Sequence, residues 1–183
     1  CYTEIRDNAD AVITALARHR YDEDHFYVVR KADPRFLTPA ECAARTIFLN
    51  RVGFNGLYRV NSRGEFNVPF GRHTNPTICD APNLRAVQSA LRGVDLRVAS
   101  FETVIERAKP GDFVYFDPPY VPVSKTASFT AYDRVGFGVR EQRRLATVAA
   151  ALSAAGVRVM VSNSYTPLAV ELYQALPGFR MEL

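Results

Sequence analysis

The chain has 183 residues, 48% hydrophobic and 23% charged, with a net charge of +4 and a pI near 9.1. That length fits one domain, or one domain with a sizeable insertion, and the composition is ordinary for a globular protein. It argues against disorder, and the uncharged stretches, such as residues 145–157, fall short of a membrane span.

Taken in chain order, residues 2–18 space Ile5, Ala9, Val12, Ile13 and Leu16 for one face of a helix. A shorter helix is expected over 21–32, with His19 and His25 in charged, solvent-facing surroundings. Thr38, Pro39 and Glu41 form a capping box with proline in the first turn, starting a helix that runs to about Arg51 and stops at Gly53. From 54 to 71 the chain becomes rich in Gly, Asn and Arg with scattered aromatics, and 60–66 has hairpin chemistry around Gly64. Between residues 45 and 72 stand Arg45, Arg51, Arg59, Arg63 and Arg72 against one acid, Glu65, a local excess that suits a polyanion or a solvated basic face. After Pro76 the pattern alternates: helix 83–91, strand 96–99, helix 101–108, strand 112–116, helix 140–155 ended by Gly156, strand 157–161, and a helix from Thr166-Pro167 to 175. Alternating strands and helices imply a parallel, doubly wound sheet. Cys1, Cys42 and Cys79 have no paired spacing, so neither a zinc site nor a disulfide framework is expected, which fits a reducing cytosol.

Residues 113–120 read Phe-Val-Tyr-Phe-Asp-Pro-Pro-Tyr and carry the most information. Four apolar residues suit a buried strand, and Pro118 and Pro119 end it because neither has a backbone N–H. Asp117 is thereby delivered to the carboxyl end of a strand, where open α/β sheets place their ligand crevice. Tyr120 follows on a stiff turn with a ring able to stack. A carboxylate, fixed carbonyls and an aromatic face at one point suit chemistry on a planar, amino-bearing ring. The alternative is an ordinary strand-to-loop junction in which Asp117 caps a turn.

With these residues in view, the chain resembles the Dam-like family of DNA adenine-N6 methyltransferases. Residues 48–71 look like that family's target-recognition signature, 124–132 like the segment after its catalytic loop, and 159–164 like its next strand. The resemblance implies a Rossmann-like parallel-sheet methyltransferase domain of α/β class, incomplete here, carrying an α-rich, hairpin-containing recognition insertion. Residues 1–14 and 81–183 would belong to the catalytic domain and 15–80 to the insertion. It further implies transfer of a methyl group from S-adenosylmethionine to N6 of an adenine extruded from a specific duplex site, with GATC as target. Asp117, Pro118, Pro119 and Tyr120 would be catalytic, and Asp117 would also border the donor. A Gly-rich turn and a Lys-bearing segment are expected N-terminal to these residues and an arginine-containing region after Leu183, so both ends read as cut.

For duplex DNA, an arginine fork favours guanine O6 and N7, a contact open to Arg59. Leu57 and Pro69 can touch a thymine methyl, while Phe54 and Asn55 look like the family's pair that enters the stack beside the orphaned base. Arg51, Arg63 and Arg72 suit phosphates, Asn61 supports the hairpin at the interface, and His73 stands where an aromatic contact is expected. Ser124 and Lys125 are expected along the base or phosphate path, Phe129 and Tyr132 in packing, and Asn163 as a brace at its strand end. No membrane association is expected, and a monomer in the cytosol. The rival functions are a DNA-binding module without catalysis, or a methyltransferase acting on cytosine N4 or RNA.

Overall fold

The computed structural model describes residues 1–123 and 137–182. The chain forms two compact units, Cys1–Arg97 and Val98–Leu183. The first holds α1 (Tyr2–Leu16), α2 (Glu23–Lys31), α3 (Pro39–Val52) and α4 (Ala81–Ala90), with short 3₁₀ turns at Pro34–Phe36 and Phe54–Gly56. Helix starts are fixed locally. The Asp22 carboxylate accepts from the His25 N–H at 2.7 Å, and Asp80 accepts from the Asn83 N–H at 3.1 Å. At α3 the expected capping box is complete: the Glu41 N–H donates to Thr38 Oγ1 and the Thr38 N–H donates to the Glu41 carboxylate.

Burial then assembles the helices. Ile5, Val12 and Leu16 of α1 meet Phe26 of α2 and Ala44, Phe48, Leu49 and Val52 of α3, and Phe66, Val68 and Leu84 join the same core. Helix α1, read above in part as catalytic-domain chain, packs on both α3 and α4. His19 and His25, expected on the surface, are instead half-buried. His19 stacks on Phe48 with ring centroids 4.5 Å apart, and its Nδ1 lies 3.1 Å from His25 Nε2. The expectation failed because Phe48, the ring that shelters them, is remote in sequence.

Beyond α3 the chain makes the hairpin anticipated around Gly64. Antiparallel bridges join Val60 to Phe66 and Gly53 to Phe70, and Gly64 takes φ +78°. The two ends of this finger meet at glycines. A Cβ on Gly71 would lie 2.8 Å from both the Val52 and Gly53 carbonyl oxygens, and one on Gly53 would lie 2.5 Å from the Leu49 oxygen. Only glycine permits that approach.

The second unit contains a 3₁₀ turn (Phe101–Glu106), β1 (Phe113–Phe116), α5 (Val139–Ala154), β2 (Arg158–Val161) and α6 (Pro167–Tyr173). β1 and β2 pair in parallel, Phe113 opposite Arg158 through Phe116 opposite Val161. Helix α5 covers the sheet, with Leu145, Val148, Ala149 and Leu152 packed on Phe116 and Val157. Gly156, at φ +79°, turns the chain from α5 into β2. A mixed helix–sheet architecture with a parallel strand pair is therefore present.

Three expectations need correction. Residues 96–99 form no strand, and Val98 is fully exposed, because no neighbouring strand pairs with them among the described residues. The helix expected over 101–108 is a tighter 3₁₀ segment, in which Ser100 accepts from the Glu102 N–H and Thr103 Oγ1 bonds back to the Ser100 carbonyl. The strand at 113–116 exists but is not buried throughout. Phe116 is enclosed, whereas Phe113 is 59% and Tyr115 52% exposed, because α5 covers one face of the sheet and these two residues project from the other.

Candidate active site and nucleic-acid interface

Asp117 follows β1 directly and is exposed, beyond the strand's carboxyl end. Its Oδ1 accepts from Ser162 Oγ at 2.5 Å, and Tyr115 Oη donates to Ser162 Oγ at 3.1 Å. Ser162 leaves β2 at the matching position, and its N–H bonds the Phe116 carbonyl. Parallel pairing of β1 with β2 thus sets a hydroxyl beside the acid. Among the described residues the second oxygen, Oδ2, has no partner, so it is open to an incoming donor.

The Pro118 ring is buried, while Tyr120 stands 53% exposed at the same corner. Since neither proline offers an N–H, the corner is held through other groups. Gln142 Nε2 donates to the Pro119 carbonyl at 2.7 Å, and Asn163 Oδ1 accepts from the Val121 N–H at 2.9 Å. Asn163 therefore braces its strand end, as expected. Gln142 carries no such signal in the sequence, since a glutamine among Arg140, Glu141, Arg143 and Arg144 reads as part of a solvated face.

A cleft of about 780 Å³ opens beside this corner, lined by Tyr120, Ser162, Asn163, Tyr165 and Tyr173 among others. Burial pushes the Tyr173 hydroxyl up to about 12, and this oxygen has no hydrogen-bond partner among the described residues.

In the first unit the recognition candidates divide by what they already touch. Phe54, Leu57 and Tyr58 are about half exposed on a turn in which Asn55 adopts φ 53°, the left-handed region asparagine tolerates. The Pro69 ring is exposed, and its carbonyl accepts from the Phe54 N–H. Arg51 Nε donates to the Thr77 carbonyl, Arg59 Nε to Asn67 Oδ1, and Arg63 Nε to Glu65. Arg72 is exposed. Asn61 is committed to the turn: its Oδ1 accepts from the Arg63 and Glu65 N–H groups and its Nδ2 donates to Glu65. His73 is half-buried at the root of the finger, with Nε2 3.2 Å from the Gly53 carbonyl and its N–H donating to Tyr21 Oη. Ser124, Lys125, Phe129 and Tyr132 lie outside the described residues.

An acid and an aromatic ring displayed where a parallel strand ends mark the class of α/β proteins whose ligand crevice lies at the sheet's carboxyl edge. Within that class, the family model of the D12 class N6 adenine-specific DNA methyltransferases matches residues 1–182, and the chain belongs to that family. It is 41% identical over 182 residues to the type II methyltransferase M1.LlaDCHI of Lactococcus lactis subsp. cremoris, covering 95% of this chain and 64% of the relative. The type II methyltransferase M.MjaIII of Methanocaldococcus jannaschii is 39% identical over 177 residues, covering 90% and 61%. The DNA adenine methylase of Escherichia coli (strain K12) is 38% identical over 149 residues, covering 81% and 53%. The chain thus spans between about half and two thirds of the length of these relatives.

Proposed function

We propose that the protein containing this chain transfers a methyl group from S-adenosylmethionine to N6 of an adenine swung out of a specific duplex DNA site, with GATC as the candidate sequence. The observation that carries this reading is Asp117, an exposed carboxylate at the end of β1, one oxygen held by Ser162 and the other open, next to a half-exposed Tyr120. On this reading the two-stranded sheet is part of a Rossmann-like domain, and residues 15–80 form its recognition insertion.

The chemistry follows from the acceptor's electronic structure. The N6 lone pair of adenine is delocalised into the ring, so the amine is a poor nucleophile. Asp117 Oδ2 and the Pro118 carbonyl each accept one N6 hydrogen, favouring a pyramidal nitrogen with its lone pair directed outward. Tyr120 stacks on the extruded base, since N6 cannot be attacked inside the duplex. Alignment supplies much of the acceleration. The proton leaves after transfer, from an acidic ammonium, to Asp117 or to water, so no strong base is required.

Asp117 suits the edge of the donor pocket, because an exposed carboxylate with an open oxygen accepts from an ammonium or hydroxyl group. When bound, S-adenosylmethionine supplies an electrophilic methyl group on a sulfonium sulfur. For the duplex, Phe54, Asn55, Leu57 and Pro69 present the apolar and amide groups, Arg59 a guanine-reading fork, and Arg51, Arg63 and Arg72 phosphate contacts. Asn61 and His73 support the finger from within.

The full-length protein should protect its target DNA from a methylation-sensitive nuclease. Asp117→Ala should abolish that protection while leaving DNA affinity within about threefold. Normal methylation by Asp117→Ala would refute the mechanism.

A further inference from the structure

From the hydrogen bonds around the Pro-Pro corner we infer that Gln142 is a positioning residue that fixes the backbone of Tyr120. The inference rests on the methyltransferase reading above and assigns it a residue on α5. Gln142 is 3% exposed, on the first turns of α5, whose following residues Leu145, Ala146 and Ala149 are buried. Its side-chain amide is enclosed, so both its polar ends need partners.

The orientation of that amide follows from the network around it. Asn163 Oδ1 accepts from two backbone N–H groups, those of Val121 and Ser164, each at 2.9 Å. The oxygen of Asn163 is thereby committed to the backbone and its Nδ2 faces Gln142, donating to Oε1 at 3.0 Å. Gln142 must then present Nε2 to the Pro119 carbonyl, at 2.7 Å. Two backbone donors on one oxygen thus set the two amides in series, leaving one consistent arrangement.

The consequence lies at Tyr120. The Pro119 carbonyl belongs to the peptide unit on its amino side, and the Val121 N–H belongs to the unit on its carboxyl side. Gln142 holds the first and Asn163 the second, so the two planes that define φ and ψ of Tyr120 are both clamped. Two consecutive prolines contribute no N–H of their own here, so the clamp must come from outside the loop. The ring that would stack on the base is aimed by α5 and by the end of β2 together. Displacement of about 1 Å in a group that aligns reactants costs on the order of a hundredfold in rate.

The test uses the full-length protein with duplex DNA, S-adenosylmethionine and 2-aminopurine at the target position as a reporter of extrusion. Gln142→Glu keeps the shape and the acceptor for Asn163 but turns an oxygen toward the Pro119 carbonyl, and Gln142→Met removes both bonds. Each should lower single-turnover methylation by roughly ten- to a hundredfold and reduce the 2-aminopurine signal. DNA dissociation constants should stay within about twofold, and Asn163→Asp should show the same split between turnover and binding. Arg143→Ala, on the exposed face of α5, serves as the control and should turn over normally. If Gln142→Met does not fold, Gln142→Glu decides. Turnover within twofold of an active wild type in Gln142→Glu overturns the inference alone. Parallel loss of DNA affinity, turnover and melting temperature also overturns it, since that is what a merely structural glutamine would give. An inactive wild type overturns the methyltransferase reading and this inference with it.

Discussion

Asp117 is presented by its surroundings, not by its own conformation. Ser162 Oγ, itself engaged by Tyr115, holds one carboxylate oxygen and so fixes the plane in which the other lies. On the proposed function, Ser162→Ala should therefore lower methylation turnover by roughly tenfold with DNA affinity unchanged, a smaller loss than Asp117→Ala gives, measured by single-turnover kinetics on the full-length protein. At this scale the sequence announces some residues and hides others. Asp117, Tyr120 and Asn163 stand out because each is a polar or aromatic residue at the end of an apolar run. Ser162 stood in the same Ser-Asn-Ser cluster, but its bond to Asp117 depends on strand register. Gln142 carries no local signal, since its partners lie 21 and 23 residues away. The histidine pair is hidden for the same reason. Both imidazoles are held below their ordinary value of 6.5, His19 by burial and then by His25, and His25 by burial and then by Arg20. A histidine so depressed binds fewer protons folded than unfolded, so its contribution is complete above the unfolded value and is lost as the pH falls below it. The melting temperature should fall as the pH drops below about 6.5, and a His19→Gln/His25→Gln double variant should flatten that slope.

Elements whose limits depend on neighbours in sequence were the most legible. The α3 cap is written in Thr38, Pro39 and Glu41, and the stop in Gly53, and the structure places both there. Thr38→Ala removes the acceptor for the Glu41 N–H and should cost about 1 kcal/mol of unfolding free energy, read by urea titration. Phe48→Ala, in the middle of the same helix, leaves a cavity under His19 and should cost about 3–5 kcal/mol. Strands were harder. The 113–116 run was found because four apolar residues precede two prolines, but the exposure of Phe113 and Tyr115 depends on how many layers cover the sheet. Residues 96–99, Leu-Arg-Val-Ala, show the converse, since a strand exists only where a partner pairs with it.

For the molecule as a whole, a basic stretch of moderate excess meant little until its geometry was known. The structure shows Arg59 and Arg63 engaged within the finger and Arg51 on a backbone carbonyl, while Arg72 is exposed at its root. On the proposed function Arg72→Ala should weaken binding to all duplexes alike and reduce the slope of log affinity against log salt by about one, whereas Arg59→Ala should relax discrimination at one base pair at a cost of about 1–3 kcal/mol. Binding isotherms on the full-length protein across a salt series distinguish the two outcomes. The mixed helix–sheet class with parallel strands was readable from alternation, and the division into Cys1–Arg97 and Val98–Leu183 was not, because α1 packs on both α3 and α4 through contacts that span much of the first unit.

The seam where Gly53 and Gly71 meet anchors a finger whose exposed tip stands apart from its fixed root. At the seam the finger is held by the Gly71 N–H on the Val52 carbonyl, Tyr21 Oη on the Gly71 carbonyl, and the His73 ring against Gly53; beyond it, Asn50 of α3 donates to the Gly56 carbonyl, and Phe66 and Val68 are buried in the helical core. Tips of other sequence, spliced between residues 57 and 65, would keep Gly56, Phe66 and Val68 and so inherit the same mounting. On the proposed function, reprogramming the site read on DNA reduces to exchanging that short loop, with the helical scaffold untouched.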